Sequence, residues 1–519
     1  MGFTLARSIP QYEREKTMHT GDTRRSFLVG SSAAAAALTV SKAWSLPPVL
    51  DDELSAPKDH VQFDSSLEPL VQQIEQTPRA DLIAAMTKRV QDGVSYQQML
   101  AALFLAAIRN VQPRPSVGFK FHAVLVVHSC HLASVAGPSQ ERWLPLFWAL
   151  DYFKSSQADE AKRSGWRMAA VNESLVPDAA KARQTFDEAM QSWDVEKADV
   201  AIAALVRHCG AAEVFERFAT YAARDYRSIG HKAIYLANAW RTLQVIGYRH
   251  AEPVMRSLGF ALLNHEGQPN PAQSDLPADR SWRQIDEMLD ARSDAYGTGP
   301  LDSGATSALL QSFRDGTGIE CARHADQALA AGVSSQSIWD GILVGGGELL
   351  MRQPGIVGLH TLTTANAMHY LWQTSANTRL RSQLLLQAAA FVPQFRQSCL
   401  DRGKLAAQTL DDLQPSEGPV TLDGIFDSVS KDRQIASREV LQFLSAGGDA
   451  HEFINEARTL LFFKGRDAHD YKFVSAVLED AGHVSPQWRN QFLATSVFNM
   501  RGSGHRDNAL MKRARGSLK

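Results

Sequence analysis

The 519-residue chain predicts an all-α protein, a single large multi-helix domain with a buried central cavity. Three observations carry that prediction. Apolar residues recur at three- and four-residue spacing through Ala- and Leu-rich stretches such as QMLAALFLAAIRNV, DVAIAALVRHCGAAEVFERFATYAARDY and RLRSQLLLQAAAFVPQF, which puts them on one face of a helix. Alternating β-branched runs closed by Asn-Gly or Asp-Gly turns are almost absent. A composition of 44% hydrophobic and 21% charged residues fits a globular domain and excludes a coiled coil, a collagen or a disordered chain. With 54 Lys+Arg against 56 Asp+Glu, the basic footprint that nucleic-acid binding needs is missing. Cys130, Cys209, Cys321 and Cys399 form no CxxC pair, whereas 16 histidines make any protein-built metal site nitrogen-rich.

Residues 23 to 43, TRRSFLVGSSAAAAALTVSKA, carry the paired arginines Arg24 and Arg25, then Phe27, Leu28 and a mildly apolar Ala run. That is the twin-arginine export pattern, with Val29 in place of its usual Lys. The reading is a removable signal over 1–43 with Ser41-Lys42-Ala43 as cleavage triplet. It makes the export machinery a partner, the location periplasmic or secreted, and leaves no integral membrane segment once the signal is gone. Removing those residues, with six basic and three acidic side chains among them, leaves 476 residues with a net charge of −5. A linker is expected over 44–66, the helical domain over 67–500 and a basic, frayed tail over 501–519.

Along the domain, several helices open with a histidine followed by small and apolar residues: His122 in FHAVLVV, His231 in GHKAIYLANAW, His360 in LHTLTTANAMHY and His469 in AHDYKFVSAVL. Imidazole suits Fe, Zn, Cu and Ni, and helices that each bring one His can build a cage in a bundle core. Lys472 stands at i+3 from His469, on the same helical face. Buried and neutral, it could take up carbon dioxide and become an anionic oxygen ligand. The segment RHAEPVMRSLGFALL adds His250 and Glu252 near a helix start, and His128 with His131 in HSCH forms a rival two-ligand pair. Trp143, Phe147 and Trp148 read as buried helix. Gly345 to Gly347 lack the spacing of a dinucleotide fingerprint and read as a close helix contact. HEGQPNPAQSDLPADRSW (265 to 282) and DDLQPSEGPVTLDG (411 to 424) read as surface loops.

These segments resemble, in their order along the chain, the questin oxidase-like family, helical proteins related to enzymes that oxidatively open anthraquinone rings. The early element is similar to FHAVLVV with His122, the middle one to RHAEPVMRSLGFA with His250, the third to LHTLTTANA with His360 and the last to AHDYKFV with His469 and Lys472. Glu252-Pro253 stands where the family has His-Pro, which leaves His231 or Glu252 as a replacement ligand. The resemblance implies O₂ chemistry at a non-haem iron held by several His and a carboxylated Lys, with NADPH as electron donor for some members.

The expectation is thus an exported, metal-dependent oxidoreductase acting with O₂ on an aromatic or apolar small-molecule substrate. Its ligands are drawn from His122, His231, His250, His360 and His469, with Lys472. Two alternatives share the pattern: a non-catalytic periplasmic helical binding or scaffold protein, and a zinc hydrolase at the same cluster.

Overall fold

The periodic stretches become twenty-two α-helices among the described residues, with no strand and a single isolated bridge between His60 and Ala169. The structure, a computed structural model, describes residues 59–114, 119–264, 267–290 and 297–518. The export segment, the linker up to residue 58, His19 and His265 lie outside them. Helix starts follow local chemistry. Ser95 with Gln98, Thr317 with Glu320 and Asp467 with Asp470 form capping boxes that satisfy the first free N–H groups of their helices. No helix among the described residues is long and apolar enough to cross a membrane.

Four of these helices form the centre: Phe119–Ala136, His231–Ile246, Ile356–Thr374 and Ala468–Asp480. We refer to each by its histidine. The His122 and His360 helices each pack against both the His231 and the His469 helices, closing a ring. Contacts keep one order along all four. Asn238 Nδ2 donates to Leu125 O, Ser475 Oγ donates to Ser129 O, and Arg241 donates to both Asn366 and Glu479. The four helices therefore run parallel, and their N-terminal ends meet at one level of the bundle.

The remaining helices wrap this ring. Leu144–Arg163 packs on the His122 helix and buries Phe147 and Trp148, with Trp148 against Tyr152 and Tyr471, so these aromatics are core. Ser335–Arg352 carries Gly345 to Gly347 against its neighbours. A Cβ on Gly346 would lie 3.1 Å from Leu362, and one on Gly347 only 2.2 Å from Thr495 Oγ1. Close packing is their role.

Three boundaries differ from expectation. Residues 59 to 66 belong to the packed body: Val61 is buried and its N–H donates to Met168 O. The Pro- and Asp-rich stretch after 265 turns helical at Pro277. The basic tail forms the helix Ala509–Leu518, which buries Met511 and Ala514 and pairs Arg515 with Glu141. Two apolar residues at i and i+3 suffice to dock a helix whose charges dominate its composition.

Gly347→Ala is expected to destabilise the protein by about 1–3 kcal/mol, because the new methyl overlaps the Thr495 hydroxyl. Urea unfolding checks it. Thr495→Ala in the same chain should recover most of the loss, whereas simple additivity of the two changes would contradict a direct contact.

Candidate metal centre

Each of the four parallel helices brings its histidine to the common level within its first five residues. His122, His231 and His360 are buried, and so is Lys472; only His469, at 23% side-chain exposure, reaches toward solvent. His231 stands at the middle. Its Nε2 is 3.1 Å from His122 Nε2, 3.2 Å from His360 Nε2 and 3.3 Å from Lys472 Nζ. The His469 ring lies 4.4 Å from that of His122 and 5.2 Å from that of His360, edge-on to both. Ligand atoms of His122, His360 and His469 all fall within 4.8 Å of one another.

Comparison of the chain with protein-family models, with characterised proteins and with solved structures finds no match.

The tautomers follow from what lies behind the rings. His231 Nδ1 is 2.6 Å from Ser228 O, and His360 Nδ1 is 2.6 Å from Ile356 O. A carbonyl only accepts, so both Nδ1 atoms carry the proton and both Nε2 atoms present a lone pair. His469 Nδ1 faces the Asp467 carboxylate at 3.5 Å, with the same consequence. A backbone carbonyl or carboxylate on the far nitrogen is the support that metal-ligating histidines have. Lys472 can donate one proton to His231. The lone pair of His360 still points at that of His231 across 3.2 Å, an arrangement that only a proton or a cation between them makes favourable. Burial opposes the proton: desolvation, then the neighbouring Lys472 and imidazoles, push His122, His231 and His360 well below the usual histidine range.

Spacing agrees with a shared ion. Bonds of about 2.1 Å to imidazole place neighbouring nitrogens about 3 Å apart and opposite ones about 4.2 Å apart, against observed separations of 3.1 and 3.2 Å. The donor set, four imidazoles and an amine, suits a borderline transition metal rather than calcium or magnesium.

His231 owes its place to a strained turn. Ser228, Ile229 and Gly230 all have positive φ, at 58°, 46° and 78°. For a β-branched residue such as Ile229 that conformation costs about 1–2 kcal/mol. Gly230 is obligatory, since a Cβ there would sit 2.0 Å from Thr364 Oγ1. A buried ion network holds the turn. Asp225 accepts from the Arg227 N–H and from Lys232 Nζ, both at 2.8 Å, while the Arg227 guanidinium grips Asp279 with both Nη atoms and donates to Pro269 O.

Two expected participants stand elsewhere. His250 does not join the centre. It opens the helix Ala251–Leu263 with its Nε2 accepting from Arg249 Nε at 3.1 Å, and burial together with Arg249 lowers it to about 4. Glu252 is tied to Arg207 by a bidentate ion pair. The rival pair also remains incomplete. His131 meets the Tyr96 hydroxyl at 3.3 Å, His128 lies by Arg241, and no third ligand joins them among the described residues. Asp467 escaped sequence reasoning although its position two residues before His469, in a capping box, is legible. The Ser228 turn had no sequence signal beyond one glycine.

The buried histidines set a pH dependence for the metal-free protein. Their folded-state pKa values are depressed, so as pH falls below about 6.5 the unfolded chain takes up protons that the folded chain refuses, and stability drops. Asp480, whose carboxyl burial pushes up, acts in the opposite sense but is one group against several. In urea titrations, His360→Leu is expected to flatten the stability-against-pH slope between pH 5 and 6 by up to about 1.4 kcal/mol per pH unit. An unchanged slope would show that His360 protonates freely in the fold.

Proposed function

We propose that this centre holds a single non-haem iron ion and that the protein is an oxidoreductase using O₂ on a small organic substrate. The observation that carries the reading is the meeting of four imidazoles at one level, three of them, His231, His360 and His469, held in the ligating tautomer by an acceptor behind Nδ1. A non-catalytic scaffold has no use for the repulsion between the His231 and His360 lone pairs, since rotating or replacing one buried imidazole would relieve it. Zinc, usual with four donors in a closed tetrahedral site, accommodates a set of four histidines and Lys472 less well than iron, which commonly takes six. Imidazole serves both metals.

The segment order that resembles the questin oxidase-like family supports the same reading, with His231 standing in for the middle segment's His250. His122, His231, His360 and His469 would hold the ion through Nε2. Lys472 would complete the set as a carbamate: its neutral amine adds to CO₂, forming the N–C bond and releasing one proton. Burial lowers the Lys472 ammonium to about 7, so the amine required is populated near neutrality. That carbamate would supply the anionic oxygen that no Asp or Glu among the described residues contributes to the imidazole group.

An iron ion bound there supplies O₂ activation; the protein supplies position and dryness. Ser228 O, Ile356 O and Asp467 keep three imidazoles in the ligating tautomer. The burial of His122, His231 and His360 excludes water on three sides. Only the His469 side faces solvent, and we assign substrate entry to it. We further assign the electron supply to a soluble donor such as NADPH, and the location to the periplasm or cell exterior through the twin-arginine segment.

Metal analysis of the purified protein is expected to find about one iron per chain, with His360→Ala and His469→Ala each losing most of it. A metal-free wild type, or full occupancy in both variants, would remove the proposal. ¹³C-bicarbonate should give a carbamate NMR signal that Lys472→Met abolishes.

A further inference from the structure

The arrangement that assembles the centre also fixes its charge, and the charge selects what can occupy its open position. We propose that this position takes an anionic oxygen donor of an organic substrate, a phenolate or a carboxylate, in place of a neutral apolar molecule. The inference rests on the metal reading above. With His250 removed from the centre, four imidazoles and Lys472 give five protein donors, one short of the six that an iron ion commonly takes.

Leaving aside carboxylates already paired with a basic side chain, every contribution around the cluster except one is neutral or positive. An imidazole that binds a metal through its lone pair brings no charge of its own. Four parallel helices of 13 to 19 residues direct their N-terminal ends at the level of the cluster, each equivalent to roughly half a positive charge. Behind His231, Arg224, Arg227 and Lys232 face only Asp225 and Asp279, all five buried. Arg224 is in no ion pair: it is buried over the Tyr221 ring, Asp225 and Asp279 act on it only at a distance, and its Nε and Nη1 find no hydrogen-bond partner. Lys472 forms no ion pair with a carboxylate among the described residues; its Nζ lies 3.3 Å from His231 Nε2, and Asp467 acts on it only at a distance. The exception is Asp467, whose carboxylate is 57% exposed and already accepts from the N–H groups of His469 and Asp470.

A divalent ion in this setting leaves an excess of positive charge in either form of Lys472. As an amine the lysine adds no negative charge; as a carbamate it cancels half of the ion's. In an interior of low polarity such an excess is expensive, and a bound anion relieves it where a neutral ligand cannot. The substrate class is therefore narrower than an apolar aromatic: it ionises, and it coordinates through the ionised oxygen. A phenol enters as phenolate after giving its proton to solvent at the His469 side, since no buried carboxylate is free to take it.

Cobalt(II) in place of iron gives visible bands that report both loading and the sixth ligand. The apo-protein would be loaded with cobalt(II), then titrated with acetate and 4-nitrophenolate, and separately with their neutral counterparts acetamide and 4-nitroanisole. At least a ten-fold preference for the anions, with shifted bands, is the expected result. A stronger response to 4-nitrophenolate assigns the substrate as a phenol, and one to acetate as a carboxylic acid. Equal binding of neutral and anionic partners, or bands that no anion moves, overturns the inference while leaving the metal centre intact. Absence of cobalt bands altogether, with the folded apo-protein verified by circular dichroism, overturns the metal reading and this inference with it.

Discussion

The structure turns on one electrostatic conflict: the Nε2 lone pair of His231 faces that of His360 at 3.2 Å, with His122 Nε2 at 3.1 Å on another side. Neither His231 nor His360 can escape by exchanging tautomers, because carbonyl oxygens 2.6 Å behind them demand the Nδ1 proton. Nor can the group protonate cheaply, since burial drives the imidazoles toward the neutral form. A cation shared by the lone pairs turns that repulsion into bonds. Without it, the fold carries the conflict as a standing cost, and a bound ion would add to global stability by mass action as well as enabling chemistry.

The parallel course of the four ring helices explains the architecture around them. Parallel neighbours cannot be joined by a short turn, so more than a hundred residues separate His122 from His231, His231 from His360 and His360 from His469. Those excursions become the outer layer, including Ser335–Arg352 and Thr378–Leu400, which shield the centre. Parallel alignment also adds the helix dipoles instead of cancelling them, so the level of the histidines is electropositive and the far level is not. At that far level, two to three turns on, Arg241 bridges Asn366 and Glu479. A cation placed toward the C-terminal halves of these helices is where dipole electrostatics favours it.

Much of this was legible in the residues, and the limits have physical causes. The all-α class came from periodicity, which burial of one helix face enforces wherever the core is apolar. The glycine run could be read as packing because no phosphate-binding spacing surrounded it, and contacts with Leu362 and Thr495 bear that out. His122, His231, His360, His469 and Lys472 do converge. His250 shared the same signature, a histidine opening a helix, yet points elsewhere. A helix start states where a side chain begins and not which way the helix lies in the bundle, and the 3₁₀ turn Tyr248–His250 sets it beside Arg249 instead. Long-range packing decides such cases, and one sequence carries no record of it. The tail was misjudged for a related reason: charge dominates its composition, while Met511 and Ala514 alone decide its docking.

The Ser228–Gly230 turn shows why the strain is placed where it is. A regular helix entry would set His231 with its Nδ1 facing the open N-terminal end of its own helix, with no carbonyl to fix the tautomer. Three left-handed residues fold the chain back so that Ser228 O lies under the ring. Holding that shape takes more than local preference, since Ile229 resists it. The network of Asp225, Lys232, Arg227 and Asp279, buried and paired, gives the turn a rigid base. Buried ion pairs of this kind contribute little net stability against a well-packed apolar alternative. Their use here lies in specificity of geometry: they fix the imidazole that His122, His360 and Lys472 all touch, and a displacement of His231 would loosen those three together.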